Sequence, residues 1–158
     1  MNGTRHFVDG NIGVWSTSID YKCIDADEGD EIVFRVNENH NLYQMVNADA
    51  YDSCNFDSGK ATLLAGPGEG ERTVNMGSPG NYYFSCSVGA HCSNAHDDHG
   101  DDHDHGNSAK LYPQKVRISV GEDFPCGGDK VVSAAVDTSN LVLPVICLAW
   151  ICRKMMWS

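Results

Sequence analysis

Strand periodicity is the feature that most constrains this chain. From Glu31 to Val36 the residues alternate, with Ile32, Phe34 and Val36 on one face and Glu31, Val33 and Arg35 on the other. Lys115 to Val120 repeats the pattern through Val116, Ile118 and Val120. Between these two, Leu42 to Val46, Arg72 to Asn75 and Tyr82 to Cys86 read as further short strands. Turn chemistry such as Gly66-Pro67-Gly68 and Ser78-Pro79-Gly80 separates them. Before residue 141 no apolar period of 3.6 runs beyond two turns, so helix is a minor component at most. With 158 residues and 41% hydrophobic content, the chain can bury one core but not two comfortable ones. The expectation is one small antiparallel sandwich.

Two segments break this rhythm. His96 to Gly106 reads HDDHGDDHDHG, which has nothing to offer a core and must be a solvated loop. His99, His103 and His105 in it form a possible secondary metal loop. Leu141 to Cys152 is the opposite, an uncharged run followed by Arg153 and Lys154. As a helix it rises only about 18 Å against ~30 Å of hydrocarbon, so a cleaved anchor signal fits its length better than a span. Membrane attachment through this tail is expected, the alternative being a C-terminal strand packed on the core. The opening residues, Met1 to Gly10, hold no apolar run of the kind a secretory signal needs.

Net charge of −11 disfavours nucleic acid, because neutralising phosphates takes a basic face. A partner with a basic face, or a small-molecule reductant, suits the chain better. The seven cysteines exceed what a cytosolic chain keeps as inert core residues, and the odd number leaves one thiol over.

That thiol carries the chemistry. Cys86-Ser87-Val88-Gly89-Ala90-His91-Cys92 ends a strand on a cysteine and returns a histidine after four residues, and His40 lies just past the strand ending at Val36. One thiolate and two imidazoles form a His2Cys set, the donor group of blue-copper sites, which serves both Cu(I) and Cu(II). Singly, each residue has an ordinary reading: Cys86 as half of a disulfide, His40 as a turn histidine. Met45 and Met76 read as core packing rather than axial donors, since neither follows His91.

The residues then reach a family. His40, the run Ala48-Asp49-Ala50-Tyr51-Asp52-Ser53-Cys54-Asn55, the approach Pro79-Gly80-Asn81-Tyr82-Tyr83-Phe84-Ser85-Cys86 and the segment Gly89-Ala90-His91-Cys92-Ser93-Asn94 resemble the phytocyanins. These are cupredoxins of the stellacyanin and plantacyanin type, and the likeness runs from about His6 through Trp15 to Val120. The resemblance implies an all-β, cupredoxin-like Greek-key β-sandwich, here carrying a His/Asp-rich loop insertion and a C-terminal hydrophobic tail. It implies one mononuclear type 1-like copper held by His40, Cys86 and His91, a Cys54–Cys92 disulfide, and electron transfer outside the cytosol. Cys23 and Cys126 are then the remaining pair in the body. In phytocyanins the axial ligand, Met or Gln, falls five residues after the second histidine, a position that is His96 in this chain. His96 is either that ligand or the first residue of the inserted loop.

The expected organisation is a cupredoxin domain over residues 5–122, a linker over 123–140 and the tail over 141–158. The expected molecule is an extracellular or cell-surface, membrane-anchored monomer that passes single electrons and is not an enzyme, there being no second ligand set for dioxygen reduction. Two other readings stand beside it: an interaction or signalling module on the same scaffold, and copper or zinc buffering through the His/Asp-rich loop.

Overall fold

The computed structural model describes residues 3–9, 13–93 and 111–127. Eight strands and one short helix follow in the order β1 (Arg5–Phe7), β2 (Cys23–Ala26), β3 (Glu31–Val36), β4 (Leu42–Met45), α1 (Ala48–Asp52), β5 (Ala61–Ala65), β6 (Gly70–Asn75), β7 (Gly80–Ser85) and β8 (Lys115–Val120). They make two sheets, β1-β3-β6 and β2-β8-β7-β4-β5. The all-β cupredoxin-like architecture expected from the sequence is what the chain adopts.

The core lies where the alternating faces meet. Ile32, Phe34 and Val36 from β3 oppose Val116, Ile118 and Val120 from β8, all essentially without solvent contact. Trp15, Phe34 and Phe84 stack through this layer, with ring centroids 5.4 Å and 5.0 Å apart in successive pairs. Such tilted aromatic contacts add to plain area burial. Met45 and Met76 are both buried.

The structure corrects two expectations. The sandwich is not wholly antiparallel, because β1 pairs with β3 and β2 pairs with β8 in parallel. The chain crosses to the other sheet between β1 and β3, so no tight hairpin constrains that pair to run antiparallel. Val33, placed by alternation on the outer face, is fully buried. Its cross-strand partner is Phe7, and Arg5 and Arg35 lie over the Phe7 ring. Both arginines are held there by Glu31, Glu71 and Asp9, so an ion-pair layer with apolar stems roofs the outer face.

Two disulfides close the body. Cys54 bridges to Cys92, and Cys23 to Cys126, which ties the segment after β8 back onto β2. The Cys126 amide also donates to the Asp25 carboxylate at 2.8 Å. Among the described residues no helix is long and apolar enough to cross a membrane. The segment Leu141 to Cys152 lies outside the described residues.

Candidate metal centre

Three chain segments deliver donors to one end of the sandwich. β7 runs out at Ser85 and leaves Cys86 one step past the strand, where its amide still bonds the Gln114 carbonyl at 3.0 Å. Beyond Cys86 the chain turns through Gly89, whose φ of 51° lies in the left-handed region that costs other residues roughly 1–2 kcal/mol. This turn brings His91 back over the thiol. The third donor, His40, comes from the turn before β4, where an Asx-type bond from the Asn39 amide to the Asn37 side chain tightens the approach.

The donor atoms converge. His40 Nδ1 stands 3.2 Å from His91 Nδ1, and Cys86 Sγ stands 3.6 Å from the same nitrogen. All three donor atoms lie within 4.8 Å of one another. Donors spread in a trigonal plane around a first-row ion, at about 2.0–2.3 Å from it, would be roughly 3.5–3.7 Å apart. The residues therefore fit an ion between them, and one thiolate with two imidazoles is the donor chemistry of type 1 copper.

Burial sets the protonation states. Cys86 is fully buried and His40 nearly so, whereas His91 is only half-buried. Burial, and then the neighbouring His91, lower the pKa of His40 and keep its imidazole neutral with a lone pair to offer. Burial raises the Cys86 thiol, although the backbone N–H groups of Asn41 and Val88 pull the other way by donating to the sulfur. A metal bound here must displace the thiol proton, while the two N–H donors are already aimed at the charge that appears.

Two positioning features are not evident from the sequence. Asn41 and Ser87 bond reciprocally: the Asn41 amide donates to Ser87 Oγ at 2.9 Å, and the Ser87 backbone N–H donates to Asn41 Oδ1 at 2.8 Å. This fixes the His40 segment against the Cys86 loop. Gln114 is the other. Its carbonyl accepts from Cys86 and its backbone N–H donates to the His91 carbonyl at 2.6 Å, yet neither polar atom of its fully buried side chain has a partner among the described residues. A buried amide without a partner costs about 1–3 kcal/mol.

The Cys54–Cys92 bridge holds the same end from below. α1 starts on an Asn47 side-chain cap and ends in a Schellman motif, with Cys54 N–H donating to Tyr51 O and Asn55 N–H to Ala50 O. Cys54 occupies the left-handed position of that motif at φ 52°, where glycine is usual. Cys92, next to His91, is thereby tied to a capped helix. His96, His99, His103 and His105 lie outside the described residues.

A two-sheet β-sandwich with a buried thiol and two imidazoles converging at one end defines a cupredoxin. The family model for the plastocyanin-like domain matches residues 4–96, more than half of the chain. The chain belongs to that family, as a cupredoxin of the phytocyanin type. Cucumber stellacyanin in its Cu2+ form is similar at 24% identity and a TM-score of 0.50, covering 76% of this chain and 96% of that one. A basic blue copper protein from cucumber matches at 18% identity, with coverage of 73% and 98% and a TM-score of 0.48. Spinach plantacyanin matches at 19%, with coverage of 74% and 99% and a TM-score of 0.45. No curated protein sequence matches significantly.

Proposed function

We propose that this protein transfers single electrons through one copper ion held by His40, Cys86 and His91, with Gln114 as the axial donor, in an extracellular or cell-surface setting. The convergence of one buried thiol and two imidazole nitrogens within 4.8 Å carries the reading. Copper supplies the Cu(II)/Cu(I) couple, and the chain supplies a donor set held by rigid strand ends on either side of it. His40 and Cys86 are shielded from water, while the half-buried edge of His91 offers the electron a route to the surface. The two N–H donors on the Cys86 sulfur favour the thiolate, and the Asn41–Ser87 pair keeps the loops in register as the charge on the site changes.

Gln114 is preferred to His96 as the axial donor because its fully buried side-chain amide has no partner among the described residues. The acidic body favours a redox partner with a basic face. The tail over 141–158 is proposed as the membrane tether, with the domain proper over residues 5–122. We read the protein as an electron carrier rather than an enzyme, because a single mononuclear copper passes electrons one at a time.

The test pairs spectroscopy with kinetics. Oxidised, copper-loaded protein should accept one electron per chain from a small reductant and return it to an acceptor, reversibly. Gln114→Met should shift the potential and the visible spectrum, whereas His96→Met should leave both unchanged. A copper form that cannot be cycled would favour the interaction-module reading. A spectrum moved by His96→Met and not by Gln114→Met would return the axial role to His96.

A further inference from the structure

Away from the metal centre, a cleft of about 520 Å3 opens on the outer face of the β2-β8-β7-β4-β5 sheet, beneath α1. Cys23, Arg117 and Tyr83 are direct cross-strand neighbours and so share this face, while Ile24, Ile118 and Phe84 between them turn into the core. The volume is in the range of small-molecule sites.

The charge of its lining opposes that of the chain. Lys22, Lys115 and Arg117 converge here in a protein of net charge −11. Arg5 and Arg35 are engaged by Glu31, Glu71 and Asp9, but none of the three cleft cations makes an ion pair among the described residues. Asp20 and Asp52 also line the cleft, both exposed, which leaves an excess of one positive charge. Arg117 uses Nε on the Cys23 sulfur at 3.2 Å, so its two terminal nitrogens have no protein partner among the described residues. Lys115 Nζ lies 4.8 Å from the centre of the Tyr51 ring, and Tyr51 packs on Tyr83 at 5.1 Å. Neither tyrosine hydroxyl is hydrogen-bonded among the described residues, and burial, together with the Asp52 charge, keeps the Tyr51 phenol protonated despite Arg117.

We infer that this cleft binds an aromatic monocarboxylate, with its ring against the Tyr51–Tyr83 pair and its carboxylate on the free fork of Arg117 and the Lys115 ammonium. A planar guanidinium end matches a carboxylate through two parallel hydrogen bonds. One excess positive charge beside two acids suits a monoanion better than a phosphate dianion. The tyrosine pair, with its rings tilted by 46°, gives a polarisable aromatic corner and two phenolic donors, which a simple inorganic anion would leave unused.

The probe is 4-hydroxycinnamate, titrated into the full chain and followed by backbone amide shifts in NMR, with and without copper. The expected result is saturable one-to-one binding in both forms, with the largest shifts at Tyr51, Tyr83, Lys115 and Arg117. Arg117→Gln should weaken binding about tenfold, and Lys115→Gln several-fold, while Arg72→Gln on exposed β6 leaves it unchanged. Because Arg117 contacts a disulfide sulfur, Lys115→Gln decides the matter if Arg117→Gln does not fold. Equal binding of 4-hydroxycinnamyl alcohol, of acetate or of inorganic phosphate would overturn the inference. So would shifts centred elsewhere, or no saturable shift up to about 10 mM.

Discussion

Replacing the Cys54–Cys92 bridge in two different ways isolates the backbone at Cys54. Loss of the crosslink, with 38 residues of separation, removes loop-closure stabilisation of about 3.9 kcal/mol in the chain-entropy model. That loss is common to Cys54→Ala/Cys92→Ala and Cys54→Gly/Cys92→Ala, so it cancels when the two are compared. What remains is the left-handed conformation at position 54, φ 52°, imposed by the two Schellman hydrogen bonds to Tyr51 and Ala50. Alanine in that region costs roughly 1–2 kcal/mol, whereas glycine adopts it freely. Glycine in turn loses more backbone entropy on folding, by about 0.5–1 kcal/mol. The balance favours the glycine variant by up to about 1.5 kcal/mol, the reverse of the usual order for a helix-forming residue against glycine. Urea unfolding of both copper-free variants reads the difference as a shift in midpoint at constant slope. An alanine variant as stable as the glycine variant, or more so, would refute the assignment of Cys54 to the end of a Schellman motif.

Other outcomes follow from particular contacts. Asn41→Ala removes both bonds to Ser87 and should lower stability by about 1–3 kcal/mol in urea titration, while a visible copper band persists because the Asn41 backbone N–H remains. Asp30 should contribute to acid unfolding. Burial by itself would raise its carboxyl pKa, but bonds from the Asp27 and Thr4 amides and from His6 outweigh this and hold it low. Its folded pKa therefore lies below the unfolded value of about 3.9, so its stabilisation is complete above that value and is lost as pH falls through the folded one. Thermal unfolding of Asp30→Asn between pH 6 and about 3 should accordingly show a shallower acid slope than the parent.

The residues explain why parts of this molecule were legible from sequence and others were not. β3 and β8 declare themselves because each is six residues long with a fully apolar inward face. β1 is three residues, too short for any period, and β2 buries three of its four residues, which hides the alternation. α1 is a single turn whose stop signal is a cysteine in place of glycine, so neither period nor composition marks it. Val33 defeats the pattern because Phe7 and two arginine stems cover an outer face that alternation assigns to water. At the metal centre, spacing singles out Cys86 and His91, five residues apart on one loop, and His40 joins them by its place just past the strand ending at Val36, a set the family resemblance then supports. Gln114, proposed above as a further donor, escaped because a buried polar residue leaves no periodic trace, and its place beside Cys86 appears only with the pairing of β7 and β8.

The central claim is that the Cys86 thiolate is bonded to copper, and the visible absorption spectrum of the protein reconstituted with Cu(II) tests it most directly. One copper should bind per chain with an intense sulfur-to-copper charge-transfer band, and Cys86→Ser should abolish the band while the disulfide-bonded fold remains. A wild-type chain that takes up no stoichiometric copper, or a band that survives Cys86→Ser, would contradict the account.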